Sequence, residues 1–358
     1  MLVFGCAMVK IKHPAVFVVG AGATRGAYDD LDEENKPKIF PPLDADFFEI
    51  ASKIRTRGTG KNADKVLKDV HHLYGKVYGI GLETYYREIE TRGDIVKFAK
   101  SQNKPKDWDS RKENLDELIR RVLIQTTCKS SGGTKVYSPR ESNLLKKMLG
   151  TVESGDNIVS FNYDTLLEES MAKETNWNPR DGYGVRVSGV RGSWCKNWFI
   201  KHKQRNAGFK ILKMHGSLNW KGKSGDRIIL KDRPYVVRQN RSGNPAREAV
   251  LFLPPSYLKA VNKYPYNAIW KQARSSIEHA DALVILGYSL PQNDFLVRAF
   301  FSEIIRHRHA SNRMIRQIVI INPDGGVREN FLELLKPAMN STTKIHLFGT
   351  LKEFSESL

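Results

Sequence analysis

Apolar positions along this chain fall into short unbroken runs and longer helical stripes, and the two kinds occupy different stretches. Short runs stand at Ala15–Val19 and at 157–163, 209–216, 249–253, 282–289 and 317–323. Each stops in glycine or polar residues, which is how a buried strand ends. Helical patterns separate several of them, notably 267–279 and 294–306, and Lys344–Phe348 reads as a last strand at an edge. Strands alternating with helices predict an α/β fold, a mostly parallel sheet with helices on both faces.

The stretch 47–150 follows the helical regime. A polar segment, 28–38, reads as a mobile loop, and Pro41-Pro42-Leu43-Asp44-Ala45-Asp46 turns the chain into a helix start at Phe47. Val66, Leu67, Val70, Leu73 and Tyr74 keep a helical period, and Tyr85, Tyr86 and Ile89 suggest a second apolar face. Residues 100–111 read as a loop. Asn114 is expected to cap one helix, with Glu117 as reciprocal partner and Leu115, Leu118, Ile119, Val122 and Leu123 as its stripe. Ser138 is expected to cap another, with Pro139 at its first position, Glu141 completing the box and Gly150 ending it. His71 and His72 lie among helical residues and read as surface or packing groups. The expected organisation is one domain built from 1–46 and 151–358, interrupted by a helical insertion at 47–150.

Composition adds limits. The chain has 358 residues, 40% hydrophobic and 27% charged, as a globular protein has. Cys6, Cys128 and Cys195 are far apart, which argues against a disulfide framework or a sulfur-rich zinc site and fits a reducing cytoplasm. The apolar start, Met1 to Val9, lacks the basic region of an export signal, and Met8 is an alternative start. No apolar stretch reaches the roughly 18 residues of a membrane span. The net charge is +19, and residues 171–250 alone hold 18 Lys/Arg against 5 Asp/Glu and four of the six tryptophans. Such a window suits nucleic acid, an acidic partner, or a solvated lid that attracts an anionic small molecule; its irregular spacing favours the lid.

Ligands of a parallel sheet bind beyond the carboxyl ends of its strands, and those ends carry distinctive clusters here. The first is Gly20-Ala21-Gly22-Ala23-Thr24, then Phe161-Asn162-Tyr163-Asp164, Met214-His215-Gly216-Ser217, Gly287-Tyr288-Ser289 and Asn322-Pro323. Taken singly, each has a plain structural reading. The glycine turn suits close packing equally well, since Arg25 stands where a dinucleotide fingerprint wants glycine. Asp164 suits a helix cap, and Asn322-Pro323 a turn. Five such clusters on one rim point to a site.

Together these motifs resemble the sirtuin superfamily, most closely its prokaryotic branch found in anti-phage defence, with a Rossmann-like fold. The resemblance implies NAD as substrate and cleavage of its nicotinamide–ribose bond. It implies that Asn162 orients a ribose hydroxyl or an attacking water and that His215 is the catalytic histidine. Gly20, Ala21, Gly22, Ala23 and Thr24 correspond to the pyrophosphate loop, Gly287 and Ser289 to later cofactor contacts, and Asn322 to an adenosine-side contact. Asp164 belongs to the same asparagine motif, and Asp46 stands near an acidic nicotinamide contact of the deacylating members. The chemistry agrees. An imidazole, with an ordinary pKa of about 6.5, accepts a proton at neutral pH, and a neutral amide aligns a nucleophile without adding charge.

Deacylating sirtuins carry a four-cysteine zinc module. This chain lacks one, and it has Phe161 where they usually have glutamine. Water is therefore the expected acceptor, no metal is called for, and the expected activity is an NAD glycohydrolase giving nicotinamide and ADP-ribose. A protein deacylase or ADP-ribosyltransferase, or a non-catalytic NAD or ADP-ribose sensor, stays open. About 35 residues follow Pro323, too few for a control domain. Restraint is thus expected from homo-oligomerisation or a separate partner, by resemblance a HerA-type hexameric DNA-translocating ATPase, with the basic window 171–250 as a surface for it or for DNA.

Overall fold

The computed structural model describes residues 2–3, 8–33, 36–54, 61–75, 78–98, 106–131, 136–191, 208–221, 228–231, 250–253, 261–291 and 294–358. Its strands begin with β1 (Leu2–Val3), β2 (Ala15–Val19), β3 (Cys128–Ser131), β4 (Val136–Pro139), β5 (Asn157–Ser160), β6 (Val187–Arg191) and β7 (Lys210–Lys213). They continue with β8 (Gly216–Lys221), β9 (Ile228–Lys231), β10 (Val250–Phe252), β11 (Ala282–Leu286), β12 (Gln317–Ile321) and β13 (Lys344–Phe348).

Seven strands form one sheet in the order β1-β13-β12-β11-β2-β5-β7, and every neighbouring pair is parallel. Leaving the two-residue β1 aside and counting in chain order from β2, the six strands run 6-5-4-1-2-3. This is the Rossmann order, and it confirms the α/β reading. Chain crossovers run from β2 towards β7 and from β11 towards β13, in opposite directions. Right-handed connections then place their helices on opposite faces. Helices Tyr266–His279, Phe295–Ala310 and Gly325–Leu335 pack in one layer; Ala21–Gly26, Asn143–Leu149, Leu166–Glu174 and Leu351–Glu356 pack in the other. Covered on both faces, β2, β11 and β12 are buried at all five positions. β13, expected at an edge, has β1 beyond it.

A four-stranded sheet, β10-β8-β9-β6, follows from β7, and β3 and β4 form a hairpin. Helices Phe47–Lys53, Lys61–Tyr74, Leu82–Phe98 and Lys106–Thr127 close around a second hydrophobic cluster that includes Phe48, Val70, Tyr86, Leu118 and Val122. Leu144, Leu145, Met148 and Leu149 belong instead to the core of the large sheet. Among the described residues no helix is long and apolar enough to cross a membrane.

Four local expectations need correction. Asn114 caps nothing, because helix Lys106–Thr127 runs through it; Glu117 pairs with Arg120 and Arg121 at 2.9 and 2.7 Å along the same helix. That helix also takes in 106–111, expected as loop. Ser138 and Pro139 lie in β4, pairing with Lys129 and Cys128. The helix they were expected to start is Asn143–Leu149, capped by Ser142, whose Oγ accepts from Leu145 N at 3.1 Å. Finally, the segment after the glycine turn opens in ordered turns, with Tyr28 wholly buried and Leu31 N donating to Tyr28 O at 3.3 Å.

Candidate functional site

β2 is where the two halves of the sheet diverge, and its end meets the end of β11. The two strand-end turns are packed backbone on backbone. Gly20 N donates to Leu286 O at 3.0 Å and Gly22 N to Gly287 O at 2.9 Å. A Cβ on Gly20 would come within 2.6 Å of Tyr288 Cα. Gly287 has φ +56°, and a Cβ there would lie 2.1 Å from Ala23 N. Neither position tolerates a side chain. Ala23 N is also satisfied internally, donating to Gly20 O at 3.0 Å. The N–H groups of Gly22 and Ala23 are therefore engaged within the protein, so the glycine turn is first a packing device at the crevice.

Beyond the turn, short helix Ala21–Gly26 turns Thr24 inwards onto the end of β5. Asn162 Nδ2 donates to Gly20 O and to Thr24 Oγ1, both at 2.9 Å, and Thr24 Oγ1 donates to Asp164 Oδ2 at 2.8 Å. This chain of hydrogen bonds fixes the amide orientation. Gly20 O and the carboxylate can only accept, so the atom facing Gly20 is the NH2 and the hydroxyl proton points to Asp164. Both amide protons of Asn162 are engaged. Its Oδ1 is the atom left to accept a hydrogen bond from a ligand.

Asp164 is itself braced. Its Oδ1 accepts from Leu166 N at 3.0 Å, a local turn one residue ahead of the helix N-cap Thr165, and its carbonyl accepts from Lys213 Nζ at 2.5 Å. Lys213 also pairs with Glu168 at 3.2 Å, and both side chains are wholly buried. Burial raises the Glu168 carboxyl, with the Lys213 charge opposing the rise. Tyr183 Oη donates to Glu168 Oε1 at 3.3 Å.

His215 stands at the end of β7, anchored through its neighbours. Met214 N donates to Ser160 O at 2.9 Å, Trp270 Nε1 to Met214 O at 3.0 Å, and Leu253 N to His215 O at 2.7 Å. The imidazole packs edge-on against Phe161 at 5.2 Å, and Phe161 stacks on Tyr288 at 4.2 Å. Its Nε2 lies 3.9 Å from Asp294 Oδ2, and both side chains are over nine-tenths buried. Burial pushes the Tyr163 and Tyr288 phenols well up, and the carboxylates of Asp294 and Glu83 add to the rise. Glu83 comes from helix Leu82–Phe98 of the helical block, which brings negative charge to this rim. Arg87 of the same helix lies over the Phe295 ring at 5.7 Å. Asp294 is the residue that the strand ends do not single out. Its sequence signal is that of a helix cap, a role it also fills by accepting from Val297 N at 3.2 Å.

The remaining expected residues are placed as follows. Asp46 pairs with Arg25, the residue that replaces the fingerprint glycine, and its Oδ1 accepts from Leu43 N at 2.7 Å. Ala21 and Ser289 are exposed. Asn322 Oδ1 accepts from Asp324 N at 3.0 Å, a local turn, and its backbone N donates to Phe348 O at 3.0 Å. Direct side-chain bonds thus join Thr24, Asn162 and Asp164. His215 and Gly287 share their rim, while Ser289 and Asn322 occupy neighbouring strand ends without side-chain bonds to them. Half of the basic window 171–250, with Trp194 and Trp198, lies outside the described residues. Trp177 and Trp220 are buried. Among the described residues no group of three or more His, Cys, Asp or Glu is placed to hold a metal ion.

Residues 156–338, just over half of the chain, match the model of a family described as SIR2-like domain. The matched stretch holds Asn162, Asp164, His215, Gly287, Ser289 and Asn322, and it begins after the glycine turn and Asp46. No curated protein matches the chain.

Proposed function

We propose, from the premise that this chain belongs to the SIR2-like domain family, that it hydrolyses NAD to nicotinamide and ADP-ribose. The family binds NAD, and an NAD-related enzyme is the coarse reading that membership carries. The finer reading rests above all on Asn162. With both amide protons held by Gly20 O and Thr24 Oγ1, the side chain offers a fixed acceptor, which suits a water or ribose hydroxyl and not a phosphate.

In this reading the C1′–N bond between ribose and nicotinamide breaks, and its electron pair stays on the ring nitrogen, so nicotinamide leaves neutral. Positive charge builds on the ribose. Asn162 Oδ1 accepts from the attacking water and aligns its oxygen with C1′. His215 takes the proton that the water loses on attack, and later returns it to solvent. The carboxylates of Asp294 and Glu83 favour positive charge on the ribose as that charge passes to it from the nicotinamide ring. Phe161, stacked on Tyr288 and edge-on to His215, lends this end of the crevice an apolar wall.

Nicotinamide release should be followed with and without an acetylated lysine peptide, for the chain alone and with a HerA-type ATPase added. Turnover that is indifferent to peptide is expected. Turnover that requires peptide would make the protein a deacylase, and NAD binding without turnover in every arm would make it a sensor. Depletion of NAD in anti-phage defence, restrained by self-assembly or by that ATPase, is the biological role we assign.

A further inference from the structure

At the opposite rim, where β11 and β12 begin, lies a cavity of about 450 Å³ walled in part by His279, Asp281, Arg308, Arg313, Arg316 and Asn340. Its volume falls in the range of small-ligand pockets. The charges around it do not cancel. Arg308 is only 2% exposed, yet its described partners are carbonyls: Nε donates to Arg313 O at 3.0 Å and Nη1 to Ile277 O at 2.7 Å. Among the described residues no carboxylate comes within ion-pair distance of it. Burial pulls this guanidinium down to about 10, the Asp281 carboxylate opposing the fall and the Arg313 charge adding to it.

Arg313 is held in a similar way. Its Nη1 meets His279 Nε2 at 2.7 Å, and His279 Nδ1 meets Ser275 O at 2.8 Å. A carbonyl only accepts, so the imidazole proton is on Nδ1 and Nε2 receives the guanidinium N–H. The imidazole orients Arg313 without neutralising it. The two carboxylates on the wall are already engaged: Asp281 with Arg316 at 2.9 Å, and Glu278 with Arg274 at 2.8 Å. Two guanidinium charges remain over.

We propose that this cavity binds a phosphate-bearing small molecule, with the phosphate held between Arg308 and Arg313. Planar guanidinium forks match phosphate oxygens in geometry and charge. The site is separate from the crevice that holds Asn162 and His215, because it lies at the amino ends of the strands. It does not depend on the NAD reading.

Arg308 also ties two helices, so its removal would confuse folding with binding. Arg313 is exposed and is the residue to change. Inorganic pyrophosphate should be titrated into wild type, Arg313→Ala and Asn162→Ala, with binding followed by calorimetry and folding by thermal unfolding. Millimolar or tighter binding by wild type and Asn162→Ala, weakened at least tenfold in a folded Arg313→Ala, is expected. Three results would overturn the proposal: no binding by wild type, equal binding by Arg313→Ala, or loss of binding in Asn162→Ala, which would place the anion in the other crevice.

Discussion

Thr24, expected from the sequence in the pyrophosphate loop, instead ties the candidate site together through its side chain. Its hydroxyl links the amide of Asn162 and the carboxylate of Asp164 through hydrogen bonds of 2.9 and 2.8 Å. Thr24→Val keeps the shape and removes the oxygen, leaving a buried carboxylate oxygen and an amide proton without partners. A loss of roughly 1–3 kcal/mol is expected in urea unfolding, with at least a tenfold fall in nicotinamide release. Thr24→Ser should restore both. Asp294→Asn retains a good helix cap while removing the charge 3.9 Å from His215. Its melting temperature should stay near that of wild type while turnover drops about tenfold. Both residues show why only part of the site was legible. Asn162 and His215 announce themselves through short motifs. The bond from Thr24 to Asp164 joins positions 140 apart, and Asp294 looks like any capping acid.

Among elements, legibility followed burial. β2, β11 and β12 are buried at every position, so their apolar runs admit few other readings. The hairpin of β3 and β4 contains Lys129, Ser130 and Ser131, has no alternation to reveal it, and was covered by a helix pattern. Asn114 and Ser138 are good capping residues overruled by context: one by ion pairs along a long helix, the other by strand pairing. The turn between β5 and helix Leu166–Glu174 leans on the buried Lys213–Glu168 pair, 3.2 Å apart. Lys213→Met strands Glu168 and takes a donor from Asp164 O. A cost of about 3–5 kcal/mol in chemical denaturation is expected. Lys213→Met combined with Glu168→Leu should recover most of it, because the uncompensated charge is gone.

At the scale of the whole molecule, two hydrophobic clusters stand side by side, one around the sheet and one within the helical block. The helical cluster carries its own pH dependence. Tyr86 Oη donates to Asp116 Oδ1 at 3.1 Å, and burial pushes the Asp116 carboxyl from 3.8 up to about 6. A raised acid favours folding while protonated. Its contribution is therefore full below the unfolded value and is lost as the pH rises through about 6. Asp116→Asn should flatten stability between pH 4 and 7 and add on the order of 1–2 kcal/mol at neutral pH, after allowance for partial exposure. The rim of the sheet carries Asn162, His215 and the glycine turn, and we assign NAD cleavage to it. The most direct measurement is nicotinamide released from NAD in the absence of any peptide, for wild type, Asn162→Ala and His215→Ala under the same conditions. Release by wild type that falls at least a hundredfold in both variants is expected. Release that persists undiminished in His215→Ala would contradict the mechanism.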